Sequence, residues 1–137
     1  MFRTADAAGV TKIILSGYTP GPLDPRGKPR REFAKVSLGA ERYINFERTK
    51  TLAQALRRAK KEGYTVVGVE QDPRATPLFD YKPKNKKLAV VVGNEVRGLS
   101  AGARRLCDDL VEIPMRGKKE SLNVSVACGV ALYALMR

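Results

Sequence analysis

Residues 88–114 read "LAVVVGNEVRGLSAGARRLCDDLVEIP", and this stretch decides the fold. Leu88–Val92 is a short, β-branched apolar run closed by Gly93, the pattern of a strand buried on both faces. Ser100 is a helix cap for "SAGARRLCD", and "DLVEIPM" is a further strand. An apolar strand that returns through a helix to another apolar strand is a parallel crossover unit.

The neighbouring segments continue the alternation. Upstream, "YTVVGVE" reads as a buried strand. The helix "TKTLAQALRRAKKEG" precedes it, with Thr49 or Thr51 as cap, Leu52, Ala55, Leu56 and Ala59 as apolar stripe, and Gly63 as stop. "PRATPLFDYKPKNK" is a connection marked by proline and lysine. At the start, "MFRTADAAGV" predicts a short helix ending near Gly9, "TKIILSG" a strand and "YINFER" a short strand. Tyr18–Tyr43, dense in Pro, Gly and Arg, predicts a long loop with a brief helix near its end. "SLNVSVACGVALYALMR" is a final helix, apolar on nearly every face, to be buried in the fold or against a second subunit. The expectation is one α/β domain over residues 1–137, a mostly parallel sheet with helices on both faces. Ligands of such sheets bind outside the carboxyl ends of the strands, here the ends of "AVVVG" and "LVEIP".

Charge narrows the partners. With 26 Lys and Arg against 14 Asp and Glu, the net charge is +12. So basic a domain attracts polyanions, nucleic acid first, unless its surface is merely basic and inert. No apolar run is long enough for a membrane span and no signal-peptide pattern opens the chain, so a soluble cytoplasmic protein is expected. Histidine is absent, and Cys107 and Cys128 stand far apart without ligand-like neighbours. This argues against a zinc site and against imidazole-assisted nucleophiles.

"VVVGNEVRGLS" has the wrong spacing for a dinucleotide fingerprint or a phosphate-binding P-loop. Gly93 nevertheless stands at the mouth of a strand, where a missing side chain lets a ligand approach the backbone. The alternative is an ordinary strand-to-helix turn carrying a Glu95–Arg97 pair. Ser121 and Asn123, where the charged stretch Met115–Glu120 becomes the apolar tail, pose a similar choice. They cap a helix, or the loop before them holds something.

Taken together, "GNEVRGLS" and "IPMRGKKESLNVSVACGVALY" resemble, in sequence and mutual spacing, the second and third motifs of the SpoU (TrmH-like) branch of the SPOUT superfamily of RNA methyltransferases. "FRTADAAGV" resembles the end of that family's first motif, and "GYTPGP…KVSLGAE…GYTVVGVEQ" its middle. The resemblance implies a C-terminal trefoil knot and S-adenosylmethionine bent into the knotted loops, held mainly by backbone groups. Carried over, those groups belong to Gly93, Ile113 and Leu122, with Ser121 adjacent and Glu70 and Gln71 nearby. It further implies a homodimer, without a metal, that methylates a ribose 2′-hydroxyl of tRNA or rRNA.

The family's catalytic arginine falls on Arg3. A guanidinium stays protonated, so its expected task is to grip the phosphate beside the target ribose rather than to act as a base. Glu95 is expected to orient the loops or Arg3, and Asn123 to fix the knot loop. Arg26, Lys28, Arg30, Arg31 and Lys35 form a basic loop suited to RNA phosphates. Because the family's first motif opens with a strand and an Asn well before the arginine, and Met1 lies two residues before Arg3, that strand is expected to be missing. The alternative reading is a catalytically impaired RNA-binding relative with an incomplete first motif.

Overall fold

The computed structural model describes residues 1–17 and 19–137. Tyr18, with which the expected long loop opens, lies outside the described residues. The chain divides into two compact units, Met1–Ala55 and Leu56–Arg137.

In the first unit, helix α1 (Phe2–Ala7) ends as its sequence predicts, with Gly9 at φ 78°. Strand β1 (Lys12–Ser16) pairs in parallel with β2 (Asn45–Thr49), in a register running from Lys12 opposite Asn45 to Ser16 opposite Thr49. Phe2, Leu15 and Ala40 are the buried core here, with Ile13 and Phe33 packed on it. The Phe2 ring meets Phe33 and Phe46 edge-on, with centroids 5.0 and 5.5 Å away. Such aromatic contacts add to area burial and hold α1 in a definite orientation.

The segment expected to be a long loop is largely built. Asp24 Oδ1 accepts the N–H groups of Arg26 (2.8 Å) and Lys28 (2.9 Å), and Asp24 N–H donates to the Lys28 carbonyl (2.8 Å). Leu23 and Pro29 form an antiparallel bridge across this turn. Helix α2 (Arg31–Ser37) is the brief helix anticipated near the loop's end, and a 3-10 turn (Ala40–Arg42) follows it.

Helix α3 (Leu52–Lys61) begins at the end of the first unit and runs into the second. Thr51 is its cap, its Oγ1 accepting from Gln54 N at 3.2 Å, and Ala55, Leu56 and Ala59 are its buried stripe. Then come β3 (Thr65–Val69), β4 (Thr76–Pro77), β5 (Leu88–Val92), α4 (Ala101–Leu106), β6 (Asp109–Glu112) and α5 (Val124–Leu135). The four strands form one parallel sheet in the order β4-β6-β3-β5. The parallel pairing expected from the sequence is therefore present, divided between a two-stranded and a four-stranded sheet. β4 was not anticipated, since two residues, one of them Pro, carry no readable period.

Alternation along β3 sorts the two faces of the larger sheet. Val67 joins Leu78, Val111, Ala131 and Leu135 in one buried cluster, which seats α5. On the opposite face Gly68 leaves room for the end of α4. A Cβ there would fall 2.8 Å from both Cys107 Sγ and Leu110 Cδ2. The expected caps also form: Ser100 Oγ accepts from Ala103 N (3.1 Å), and Asn123 Oδ1 accepts from Ser125 N (2.9 Å). No helix among the described residues is long and apolar enough to cross a membrane.

Burial pushes the Cys107 thiol up to about 11, and moves Cys128 in the same direction. An unfolded thiol releases its proton near pH ~8.5, so above that pH the unfolded chain binds fewer protons than the folded one. Stability should therefore fall as pH climbs from about 8.5 towards the folded value, and Cys107→Ala should make the fall shallower. Melting curves across that range check this; equal slopes in both proteins would refute it.

Candidate functional site

The carboxyl ends of β3, β5 and β6 open into a cavity of about 250 Å³. Three loops wall it: Glu70–Gln71 after β3, Gly93–Gly98 after β5, and the stretch from Ile113 to Leu122 after β6. Parallel strands end with their following loops side by side, so this is where the fold presents a crevice.

The loop after β5 is closed by its own backbone. Asn94 N donates to the Gly98 carbonyl (3.2 Å) and Gly98 N to the Asn94 carbonyl (2.8 Å). Asn94 Oδ1 accepts from Val96 N (2.8 Å) and Arg97 N (3.1 Å). A Cβ on Gly93 would lie 2.2 Å from Gly98 C and 2.4 Å from Leu99 N. The returning backbone of its own loop is by itself enough to require glycine here, and Gly93 also lines the cavity. Gly98 has φ 64°, and a Cβ on it would lie 2.2 Å from Glu70 Oε2.

Glu70 ties this loop to β3. Its Oε2 accepts from Leu99 N at 2.6 Å, and its Oε1 from Gln71 N at 3.0 Å. Gln71 Nε2 in turn donates to the Glu120 carbonyl (2.7 Å), holding the third loop to the first. The second and third loops are joined by Asn123 Nδ2, which donates to Glu95 Oε1 at 2.8 Å while its Oδ1 caps α5. Neighbouring Asp72 accepts from Arg74 and pairs with Arg104, which holds its carboxyl well below the usual range, at about 2.

Val69, Val92, Met115 and Ala127 give the cavity apolar walls. Among the described residues, no protein group pairs with the backbone N–H or C=O of Ile113, Met115 or Leu122. Ile113 and Met115 are half-buried and Leu122 is exposed, so these groups face the open cavity, where water or a ligand can pair with them. They offer donors and acceptors to a flat polar ring that also needs apolar contact.

The model of the SpoU rRNA Methylase family matches residues 1–133. The chain belongs to that family. Over 135 residues it is 37% identical to the 23S rRNA (guanosine-2'-O-)-methyltransferase RlmB of Vibrio cholerae, covering 98% of this chain and 51% of the relative. Identity to RlmB of Escherichia coli is 36%, with 98% and 52% covered. The chain thus spans about half the length of the curated relatives it matches. The crystal structure of an AdoMet-bound rRNA methyltransferase from Sinorhizobium meliloti matches with TM-score 0.85 and 29% identity, over 97% of this chain and 48% of that one. A TrmH/SpoU tRNA modifying enzyme from A. aeolicus matches with TM-score 0.82 and 27% identity, over 98% and 64%.

In this SpoU chain, Glu70, Gly93, Glu95, Ile113, Ser121 and Leu122 all line the one cavity, with Asn123 bonded to Glu95. Arg3 stands exposed on α1 of the first unit. Arg26, Lys28, Arg30, Arg31 and Lys35 are exposed on the Asp24 turn and α2 of that unit. Both oxygens of Glu70 are already engaged by backbone, so its first task is to brace the loop. Sequence reasoning missed the loop-closing role of Asn94 and the need for Gly98; a glycine three residues after the loop's acid was the available signal.

Gly93→Ala should destabilise the second unit more than Glu70→Ala. The first drives a carbon into backbone that cannot yield, whereas the second leaves two N–H groups unpaired at a cost of about 1–3 kcal/mol. Thermal unfolding of both variants is the check, and a wild-type midpoint for Gly93→Ala would refute the account.

Proposed function

We propose that this chain is an S-adenosylmethionine-dependent methyltransferase acting on a ribose 2′-hydroxyl of RNA, tRNA or rRNA. One observation carries the reading: the unpaired backbone of Ile113, Met115 and Leu122, set among apolar walls at the mouth of a parallel sheet. Adenine requires both edge hydrogen bonds and apolar contact, and this donor set fits it. In the proposal Ile113, Leu122 and Ser121 hold the cofactor, Gly93 keeps the second loop tight beside it, and Glu70 fixes that loop's position. When bound, S-adenosylmethionine supplies an electrophilic methyl group.

The chain's own residues do the rest. Arg3 grips the phosphate next to the target ribose, and that phosphate or a nearby acceptor takes the hydroxyl proton. Glu95 and Asn123 lock two loops together and thereby limit where the ribose can stand. Orientation of this kind contributes roughly 7 kcal/mol or more to lowering a barrier in favourable cases. Arg26, Lys28, Arg30, Arg31 and Lys35 hold the RNA backbone without selecting sequence.

The remaining parts of the reading follow the family. Residues 1–137 act as one methyltransferase domain, with the segment from β5 to α5 threaded as a trefoil knot, and the protein works in the cytoplasm as a homodimer. Support for the dimer comes from α5 and the residue that caps it, which leave Val126, Tyr133 and Met136 exposed by 52, 58 and 50%. Their spacing of seven and three residues puts them on one side of the helix, an apolar stripe suited to a second copy.

Calorimetric titration with S-adenosylmethionine and its demethylated product should show binding, and absence of heat would overturn the cofactor assignment. Arg3→Ala should keep that binding while lowering transfer to ribosomal RNA by about a hundredfold or more, as loss of a charge-stabilising donor does. Undiminished transfer by the variant would remove Arg3 from the mechanism.

A further inference from the structure

The proposed mechanism uses basic residues of the first unit, yet the second unit carries its own concentration of them at the other end of its sheet. Lys82, Lys84, Lys86 and Lys87 fall within six residues of the connection before β5, and all are exposed. Arg57 and Lys61 are exposed on α3, whose last turn lies beside that connection.

Side-chain bonds fasten these two basic segments together. Asn85 Nδ2 donates to the Gly63 carbonyl (2.9 Å), and Asn85 Oδ1 accepts from Lys87 N (3.0 Å). Lys87 Nζ donates to the Glu62 carbonyl (3.1 Å) and stands 5.1 Å over the Tyr64 ring. Internal roles account for some of the cations. Lys60 pairs with Asp108 (3.0 Å), Arg58 with Glu62 (3.9 Å), and Lys87 closes the helix end. No such role exists for Arg57, Lys61, Lys82, Lys84 or Lys86, none of which has a carboxylate partner among the described residues. Like charges concentrated on one surface repel one another and weaken the folded state unless a polyanion sits against them.

We propose that this surface is a second contact for the phosphate backbone of the substrate RNA. It lies at the amino ends of β3 and β5, whereas the cavity lies at their carboxyl ends, so roughly 15 Å of strand separates the two. The inference rests on the RNA reading given above and extends it. The enzyme would hold a structured RNA at a place that a few nucleotides around the target ribose cannot reach. Lysines serve such a contact as point charges that position without reading sequence.

The test is Lys82→Ala, Lys84→Ala and Lys86→Ala combined, measured against ribosomal RNA and against an oligonucleotide of a few nucleotides. For ribosomal RNA, the log–log dependence of affinity on salt should become shallower by about 2–3, one counterion for each lost phosphate contact. The KM for methyl transfer should rise about tenfold at low salt with kcat retained. Binding of the short oligonucleotide and of S-adenosylmethionine should not change, and arginine at all three positions should restore the wild-type slope. If wild type binds ribosomal RNA and the triple variant binds it with the same slope and affinity, the surface is wrong and the enzyme reading stands. Wild type without RNA affinity would overturn both. A loss confined to vesicles of anionic phospholipid would overturn the assignment to RNA.

Discussion

The carboxylate of Glu70 joins the two loops that leave the paired strands β3 and β5. Its two oxygens take the N–H groups of Leu99 and Gln71, one from the loop after β5 and one from its own. A charged acceptor makes such bonds about twice as strong as neutral ones, and here it works at the rim of a sheet, partly withdrawn from water. The rest of the cavity is arranged around this contact. Gly98 has no side chain because the carboxylate occupies the space where a Cβ would be, and Gly93 has none because Gly98 returns across it. Gln71, placed next in the chain, reaches the Glu120 carbonyl and so carries the constraint to the third loop.

Several other acids of this very basic chain are used in the same manner. Asp24 turns the basic loop, Asp108 accepts from Val66 N at 2.8 Å while pairing with Lys60, and Asp109 accepts the Tyr81 hydroxyl at 2.8 Å. Burial and the adjacent carboxylate push the Tyr81 phenol well above its ordinary value, so it remains a donor at any working pH. With these carboxylates committed, and 26 Lys and Arg against 14 Asp and Glu in all, the cations on the surface go largely unneutralised. A net charge of +12 is then a property of the surface, available to a polyanion from outside.

What the sequence made legible follows from how locally each feature is encoded. Helix α3 announces itself through a stripe, a threonine cap and a terminal glycine, all within fifteen residues of one another. The strands β3 and β5 are recognisable as apolar runs, and their ends locate the cavity. The brace from Glu70 to Leu99 spans 29 positions and leaves no periodic trace. Nor does the order of the Pro- and Gly-rich stretch, whose composition suggests freedom while one aspartate, Asp24, organises its turn. Gly93 is the instructive case: its position was readable, but its contact with the returning backbone at Gly98 and Leu99 was not, since composition does not express it.

Under the proposed reading the cofactor meets main-chain groups of Ile113 and Leu122, which has a consequence for how the site can vary. Side chains at Ile113, Met115 and Leu122 need only be apolar and of suitable volume, because the hydrogen-bonding groups they carry are common to every residue but proline. The residues that cannot vary are those that fix the loops, namely Gly93, Gly98, Glu70 and the Glu95–Asn123 pair. Under that reading, strict sequence demands fall on residues that shape the cavity through other residues, while the backbone groups that meet the cofactor are chemically anonymous. This explains why motif blocks centred on "GNEVRG" and "ESLN" mark the site: they hold the residues that fix its loops and much of its lining.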